Sequence, residues 1–362
     1  MIISINSTQI PFIRDVIFVP VSNATSITVI NSTCNQCLCN SSSSNLILNC
    51  LTNNTCQYFL NFPRTYSIQQ LINARLYFPQ GIFPNASQCC MPNLTYVIDK
   101  LLAATPIYGQ VPSPRCLALD NHGYVVTVSK QNSSLVRFNP TTMALIDNTS
   151  GLFPVPNNLK YYNENYYVGV QGYVVVINSN NLTVMNTISS TNLNQTRDMM
   201  FLNNGSTFVV VSTDNNRFVF FNQSGNILTS YSAVYQQSLS YTSPHGLTYI
   251  NDSFFYATSW SKNTVYSYTP VLNSYQWNQN LFINATPWGS ASNGNHITID
   301  ECGRFWYSLG TYGLVIFDSQ GAYLGGMTLT NLSVFDTIIT SNYVFYLSDS
   351  NRIIRLDPNI QC

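Results

Sequence analysis

LALDNHGYVVTVSKQNSSLVRFNP, residues Leu117–Pro140, is the stretch on which the fold of this chain turns. An apolar strand runs into a polar turn, a second strand follows, then another turn and a third strand. ITIDECGRFWYSLGTYGLVIFDSQG, residues Ile297–Gly321, repeats that grammar. Looser copies begin at Leu159, Met199, Leu247 and Ile338, so successive first strands lie 42, 40, 48, 50 and 41 residues apart. A period of this size is that of four-stranded blades stacked around an axis. Six copies predict a six-bladed β-propeller over residues 106–362.

Working outward, the last copy supplies only three strands (IITSNYVFYLSDSNRIIRLDP, Ile338–Pro358) before the chain stops. A blade without its outer strand leaves a bare edge, which is an aggregation hazard. The missing strand must come from upstream, either from residues 106–111 or from residues 10–30. In the first case the ring closes within one molecule. In the second, a strand given to a neighbour propagates head to tail into a filament.

Residues 1–33 read as extended, because Val16–Val21 and Ser26–Ile30 are β-branched and alternate with polar residues. Residues 34–105 form a cysteine-rich module. Ser67–Tyr77 carries Ile68, Leu71, Ile72 and Leu76 at helical spacing, which predicts a short helix, and a second is expected over Leu94–Leu102. The whole chain is therefore expected to be mainly β, a propeller behind a small disulfide-rich α+β module.

Eight of the ten cysteines (Cys34, Cys37, Cys39, Cys50, Cys56, Cys89, Cys90 and Cys116) crowd into that first part. Such density reads as a disulfide framework of an oxidising compartment, paired among themselves in an order the sequence leaves open. Cys34-x-x-Cys37-x-Cys39 also has metal-ligand spacing. Zinc would recruit a second Cys or His pair, and His122, His245 and His296 all lie far downstream, so no metal is expected. Cys302 and Cys362 fall in turns on one face of neighbouring blades and are expected to bridge.

Only 8% of residues are charged, and the formal net charge is zero. That balance argues against nucleic acid, which needs a basic footprint, and offers no handle on an anionic membrane surface. No apolar run approaches the ~20 residues of a spanning helix. Solubility is expected to come from glycans. Sixteen of the 45 asparagines start an Asn-x-Ser/Thr triplet: Asn6, Asn23, Asn31, Asn40, Asn53, Asn85, Asn93, Asn132, Asn148, Asn181, Asn194, Asn204, Asn222, Asn251, Asn284 and Asn331. Chance alone would give roughly nine. Asn132, Asn204, Asn222 and Asn251 fall in predicted turns, where a glycan reaches solvent. The first residues lack the basic start and apolar core of a signal peptide, so a leader is expected to precede them.

The strand ending in Asp, the Gly-containing turn, the aromatic strand and the strand ending in Phe-Asp-x-x-Gly resemble the NHL-repeat propellers from Leu117 to Pro358. Some NHL-like propellers are enzymes that use residues at the channel. The cysteine-rich module weakly resembles the apple/PAN family of extracellular binding modules, through its cysteine density and the helix expected over Ser67–Tyr77 beside short strands.

In a propeller the residues just before each first strand gather at one mouth of the central channel, the usual ligand position. Here they are Arg115, Arg197, Asp198, His245, His296 and Asp336. They form either a polar ligand pocket or simply a wet channel mouth. No Gly-x-Ser-x-Gly, Walker loop or Gly-x-Gly-x-x-Gly occurs. Most aromatics fall in strands as core, whereas Trp260, Trp277 and Trp288 lie in or near loops, where they could stack on sugars. The expectation is a secreted protein that binds or assembles, without a cofactor, its partners being copies of itself or extracellular proteins and glycans. The alternative is a hydrolase or lyase working at the channel mouth.

Overall fold

The computed structural model describes residues 12–20, 26–34, 36–37, 47–59, 66–77, 93–224, 230–272, 274–288, 294–329 and 332–360. The chain forms two compact units, one up to Asn93 and one from Leu94 to Gln361.

The second unit contains six four-stranded antiparallel sheets. Their innermost strands are Pro114–Leu119, Asn158–Tyr162, Thr196–Leu202, Pro244–Asn251, Ile297–Ile299 and Asp336–Ile339. Each packs against the next, and the sixth against the first, so the ring is complete. The aspartate–glycine turn that marks the repeat has a mechanical reason. Asp120 Oδ1 accepts the backbone N–H groups of His122 (3.0 Å) and Tyr124 (2.9 Å), while Gly123 takes φ 78°. Asp300 does the same for Cys302 (2.9 Å) and Arg304 (3.0 Å), with Gly303 at φ 73°. The carboxylate satisfies the donors that the turn exposes, and glycine takes the left-handed conformation without a Cβ penalty.

Two-residue alternation then sends neighbouring side chains into different layers. Tyr166, Val168 and Val170 face blade one, whereas Tyr167, Val174 and Val176 face blade three. Val344, Tyr346 and Ile353 of blade six pack on Leu117, Val125 and Phe138 of blade one, so the last interface is as apolar as the others. A helix, α1 (Leu94–Ala103), buries Val97 and Leu101 against Trp306, Leu314, Phe345 and Leu356.

Blade six is closed from within. Ile107–Gln110 pairs antiparallel with Arg352–Leu356, Tyr108 opposite Ile354. The Arg352 guanidinium lies over the Tyr108 ring at 4.4 Å. Of the two candidate sources, the linker supplies the strand, and the chain start is used elsewhere.

The first unit is a five-stranded antiparallel sheet in the order Phe12–Pro20, Tyr66–Tyr77, Ile47–Leu51, Thr55–Phe59, Ser26–Val29. Cys34–Cys50 and Cys37–Cys56 disulfides tie the segment after Ser26–Val29 to both strands of a hairpin in which Cys50 faces Cys56. Buried Asn49 exchanges two 2.8 Å hydrogen bonds with the Phe18 backbone, acting as a substitute strand partner.

Three expectations are corrected here. Tyr66–Tyr77 is a strand paired on both sides, not a helix. Ala74 and Leu76 are buried two residues apart while Ile72 is 69% exposed, so the strand period prevails over the helical spacing. With it goes the helix, one of the two grounds, beside cysteine density, for the likeness to apple/PAN modules. Cys116 is a free thiol, because alternation turns it into the apolar layer between blades one and two. Cys302 is also free, its Sγ 2.8 Å from the Tyr343 hydroxyl. Its expected partner Cys362, with Cys39, Cys89 and Cys90, lies outside the described residues.

Candidate ligand site at the channel mouth

All six residues singled out ahead of the first strands line one cavity of about 50 Å³. Backbone geometry puts them there: each enters an innermost strand from the same end of the ring. Two of them do equivalent work. Asp198 Oδ2 accepts the N–H of Leu247 in the next blade at 2.6 Å, and its Oδ1 accepts that of Met199 at 2.7 Å. Asp336 repeats this with Leu117 and Thr337, both at 2.8 Å. Each carboxylate therefore fastens its own strand to that of the following blade.

His296 stands between them. Its Nδ1 is 2.9 Å from Asp336 Oδ1, and its Nε2 is 3.7 Å from Asp198 Oδ2 and 3.2 Å from the Leu247 carbonyl. The short Nδ1 contact lacks a good hydrogen-bond direction, so its attraction is chiefly ionic. Burial opposes the imidazolium, but Asp336 and then Asp198 outweigh it and raise the pKa of His296. His245 goes the other way: burial first, then the Arg197 charge, hold it well below the usual imidazole range. One histidine is thus biased toward the cation and its neighbour toward the neutral form.

The two arginines lack such partners. The Nε atoms of Arg115 and Arg197 are buried without a hydrogen-bond acceptor. Neither arginine joins an ion pair among the described residues. Arg115 lies over the Phe335 ring at 5.0 Å. Burial, then the Arg115 charge, pushes Arg197 down to about 10, with Asp214 opposing. Burial and the two arginine charges also lower Lys130.

Sequence reasoning missed a second, larger pocket of about 280 Å³ that shares Arg197 and His245 with the first. It is lined by Thr213, Asp214 and Asn216 of one turn, Thr242 and Ser243 before the next blade, and Trp260, 40% exposed. The signal was the turn between second and third strands, which opens on the same face as the strand entries. Of the other loop tryptophans, Trp277 packs edge-on against Phe255 at 4.8 Å and Trp288 stacks on Tyr323 at 4.5 Å. Among the described residues no group of three or more His, Cys, Asp or Glu is placed to hold a metal ion.

Asn31, Asn53, Asn93, Asn132, Asn148, Asn181, Asn204, Asn251 and Asn284 are exposed, whereas Asn194 and Asn222 are half-buried. Asn222 lies in a strand opposite Thr207 and not in the turn expected for it. Asn6, Asn23, Asn40, Asn85 and Asn331 lie outside the described residues. No described helix is long and apolar enough to cross a membrane.

No family model matches the sequence, and comparison with curated proteins finds no match. Solved structures resemble it in fold. A luciferin-regenerating enzyme superposes with a TM-score of 0.56 at 10% identity, over 70% of this chain and 95% of its own. The β-propeller domain of Myceliophteria thermophila Cps50 (Swd1) gives 0.53 at 9% identity, over 70% and 99%. At such identities the likeness defines the class, a β-propeller, and nothing narrower.

Proposed function

We propose that the chain is a secreted, N-glycosylated binding protein whose propeller presents the channel mouth to a small ligand. The observation that carries this reading is the pair of half-buried arginines whose buried Nε atoms have no acceptor, in a cavity whose aspartates are already engaged. The two disulfides and the nine exposed triplets support the secretory setting. Assembly by a donated strand loses its basis, since residues 107–110 close the ring and 12–20 pair within the first unit. A hydrolase or lyase at the same mouth draws on His296 between two carboxylates. Cys116 beside it is no nucleophile, because burial pushes its thiol well up. The test is expression through a secretory pathway, where intact mass should exceed 40.6 kDa by several glycans and fall on enzymatic deglycosylation. Export at the bare chain mass would refute glycosylation, and intracellular retention would refute secretion.

A further inference from the structure

The two pockets at the mouth differ in chemistry, and together they describe one ligand. The inner cavity is small and cationic. Arg115 and Arg197 bring buried donors with no acceptor, while Asp198 and Asp336 are each committed to two backbone N–H groups and to His296. A buried donor left unsatisfied is costly, more so on a cation. What the cavity lacks is an oxyanion, and about 50 Å³ admits one such group rather than a whole molecule.

The outer pocket is roomier and mostly polar and uncharged, with Asp214 its one carboxylate and Arg197 shared with the inner cavity. Thr242 and Ser243 bring hydroxyl groups and Asn216 its amide nitrogen, and Trp260 adds a part-exposed indole. The Asn216 Oδ1 and the Thr213 hydroxyl are engaged with the Ser243 N–H and the Pro244 carbonyl. An aromatic face beside clustered hydroxyls and amides suits a ring with an apolar face and polar edges. Arg197 belongs to both pockets, so a group in one is within reach of a group in the other.

We infer that the channel mouth takes an acidic sugar, its oxyanion between Arg115 and Arg197 and its ring in the outer pocket against Trp260. This rests on the ligand-binding reading given above. A carboxylate and a sulfate ester present the same chemistry to two guanidinium groups, which bind either through charge-assisted hydrogen bonds.

Isothermal titration of the full, folded chain with methyl glucuronide, glucose 6-sulfate, neutral methyl glucoside and inorganic sulfate tests the assignment and separates the two acids. At least one acidic sugar should bind about tenfold or more tighter than the glucoside. Arg115→Gln and Arg197→Gln should each abolish that preference while melting as the parent does, and Arg197→Lys should keep part of it. Trp260→Ala should weaken the acidic sugar and leave inorganic sulfate unchanged. Equal affinity for the neutral glucoside overturns the inference but leaves a ligand site at the mouth. Tight sulfate binding without any gain from the sugar ring, or full affinity in folded Arg197→Gln, also overturns it. Failure of every probe, with secretion and glycosylation intact, sinks the acidic-sugar assignment without touching the secretory half of the proposed function.

Discussion

The carboxylate of Asp336 accepts the backbone N–H of Leu117 at 2.8 Å across 219 positions of chain. It is the inner fastening of the ring, matched on the outer side by the ladder between Ile107–Gln110 and Arg352–Leu356. Asp336→Asn keeps the shape but weakens charge-assisted bonds at a buried site. A loss of about 1–3 kcal/mol is expected in denaturant melts. Asp198→Asn should cost a similar amount, since it makes the equivalent pair of bonds. An unchanged midpoint for both would show that these carboxylates do not hold the ring.

The two mouth histidines give opposite pH signatures. His296 is raised by Asp336 and Asp198 against burial, so its contribution is full below the ordinary imidazole value of about 6.5 and is lost as pH rises through the raised value. His245 is depressed by burial and by Arg197, so its neutral form is favoured and a penalty grows as pH falls below about 6.5. His296→Gln should therefore lower the melting temperature more at pH 5.5 than at pH 8.5. His245→Gln should look relatively better at pH 5.5. Thermal melts at both values check this, and shifts independent of pH would contradict both assignments.

Gly246 sits where two blades nearly touch at the mouth. A Cβ there would lie 2.6 Å from the Asn295 carbonyl and 2.9 Å from the His296 ring. Gly246→Ala should cost about 1–3 kcal/mol through overpacking and displace His296. Urea melts measure the first, and the imidazole resonances of His296 report the second. A variant as stable as the parent would mean the blades part more easily than their packing indicates.

Thiol chemistry distinguishes Cys116 from the disulfides. Buried at 6% exposure, with burial pushing its pKa well up, it should resist alkylation in the folded protein and react fully on unfolding. Peptide mapping after native and denatured labelling decides. A disulfide-linked Cys116 peptide would restore the expectation that it belongs to the N-terminal framework.

Strand closure is the last point open to mutation. Gly109→Pro places a proline opposite Ile353, where it removes a ladder donor and crowds the Phe138 ring. Blade six should loosen first, seen as faster amide exchange over 345–356 than over blades two and three. Uniform exchange would show that the linker strand is dispensable.

The turns Asp120–Gly123 and Asp300–Gly303 made the blades legible, because a carboxylate and a glycine at that spacing perform a local task whatever surrounds them. The mouth residues were legible for a related reason: position just before a first strand is a place in the ring. Ser67–Tyr77 misled because Ile68, Leu71, Ile72 and Leu76 satisfy a helical period by coincidence, and only strand partners from both sides decide otherwise. Cys302 misled because its turn sets the sulfur 2.8 Å from the Tyr343 hydroxyl, a contact that position on a face does not reveal. The outer pocket was hidden because Thr213, Asn216, Thr242 and Ser243 are ordinary turn residues whose neighbours come from another blade.

Ile107–Gln110 precedes every blade, yet its partner Arg352–Leu356 is made only after blades one to five. During translation at roughly 5–20 residues per second, the 242 positions from Gln110 to Arg352 take roughly 12–48 s. Blades one to five can collapse on one another as they emerge, but the ring stays an open arc until Arg352–Leu356 has been made. A nascent chain stalled anywhere before Arg352 exposes an unpaired strand at its beginning and an uncovered blade at its end, and is a natural client for chaperones.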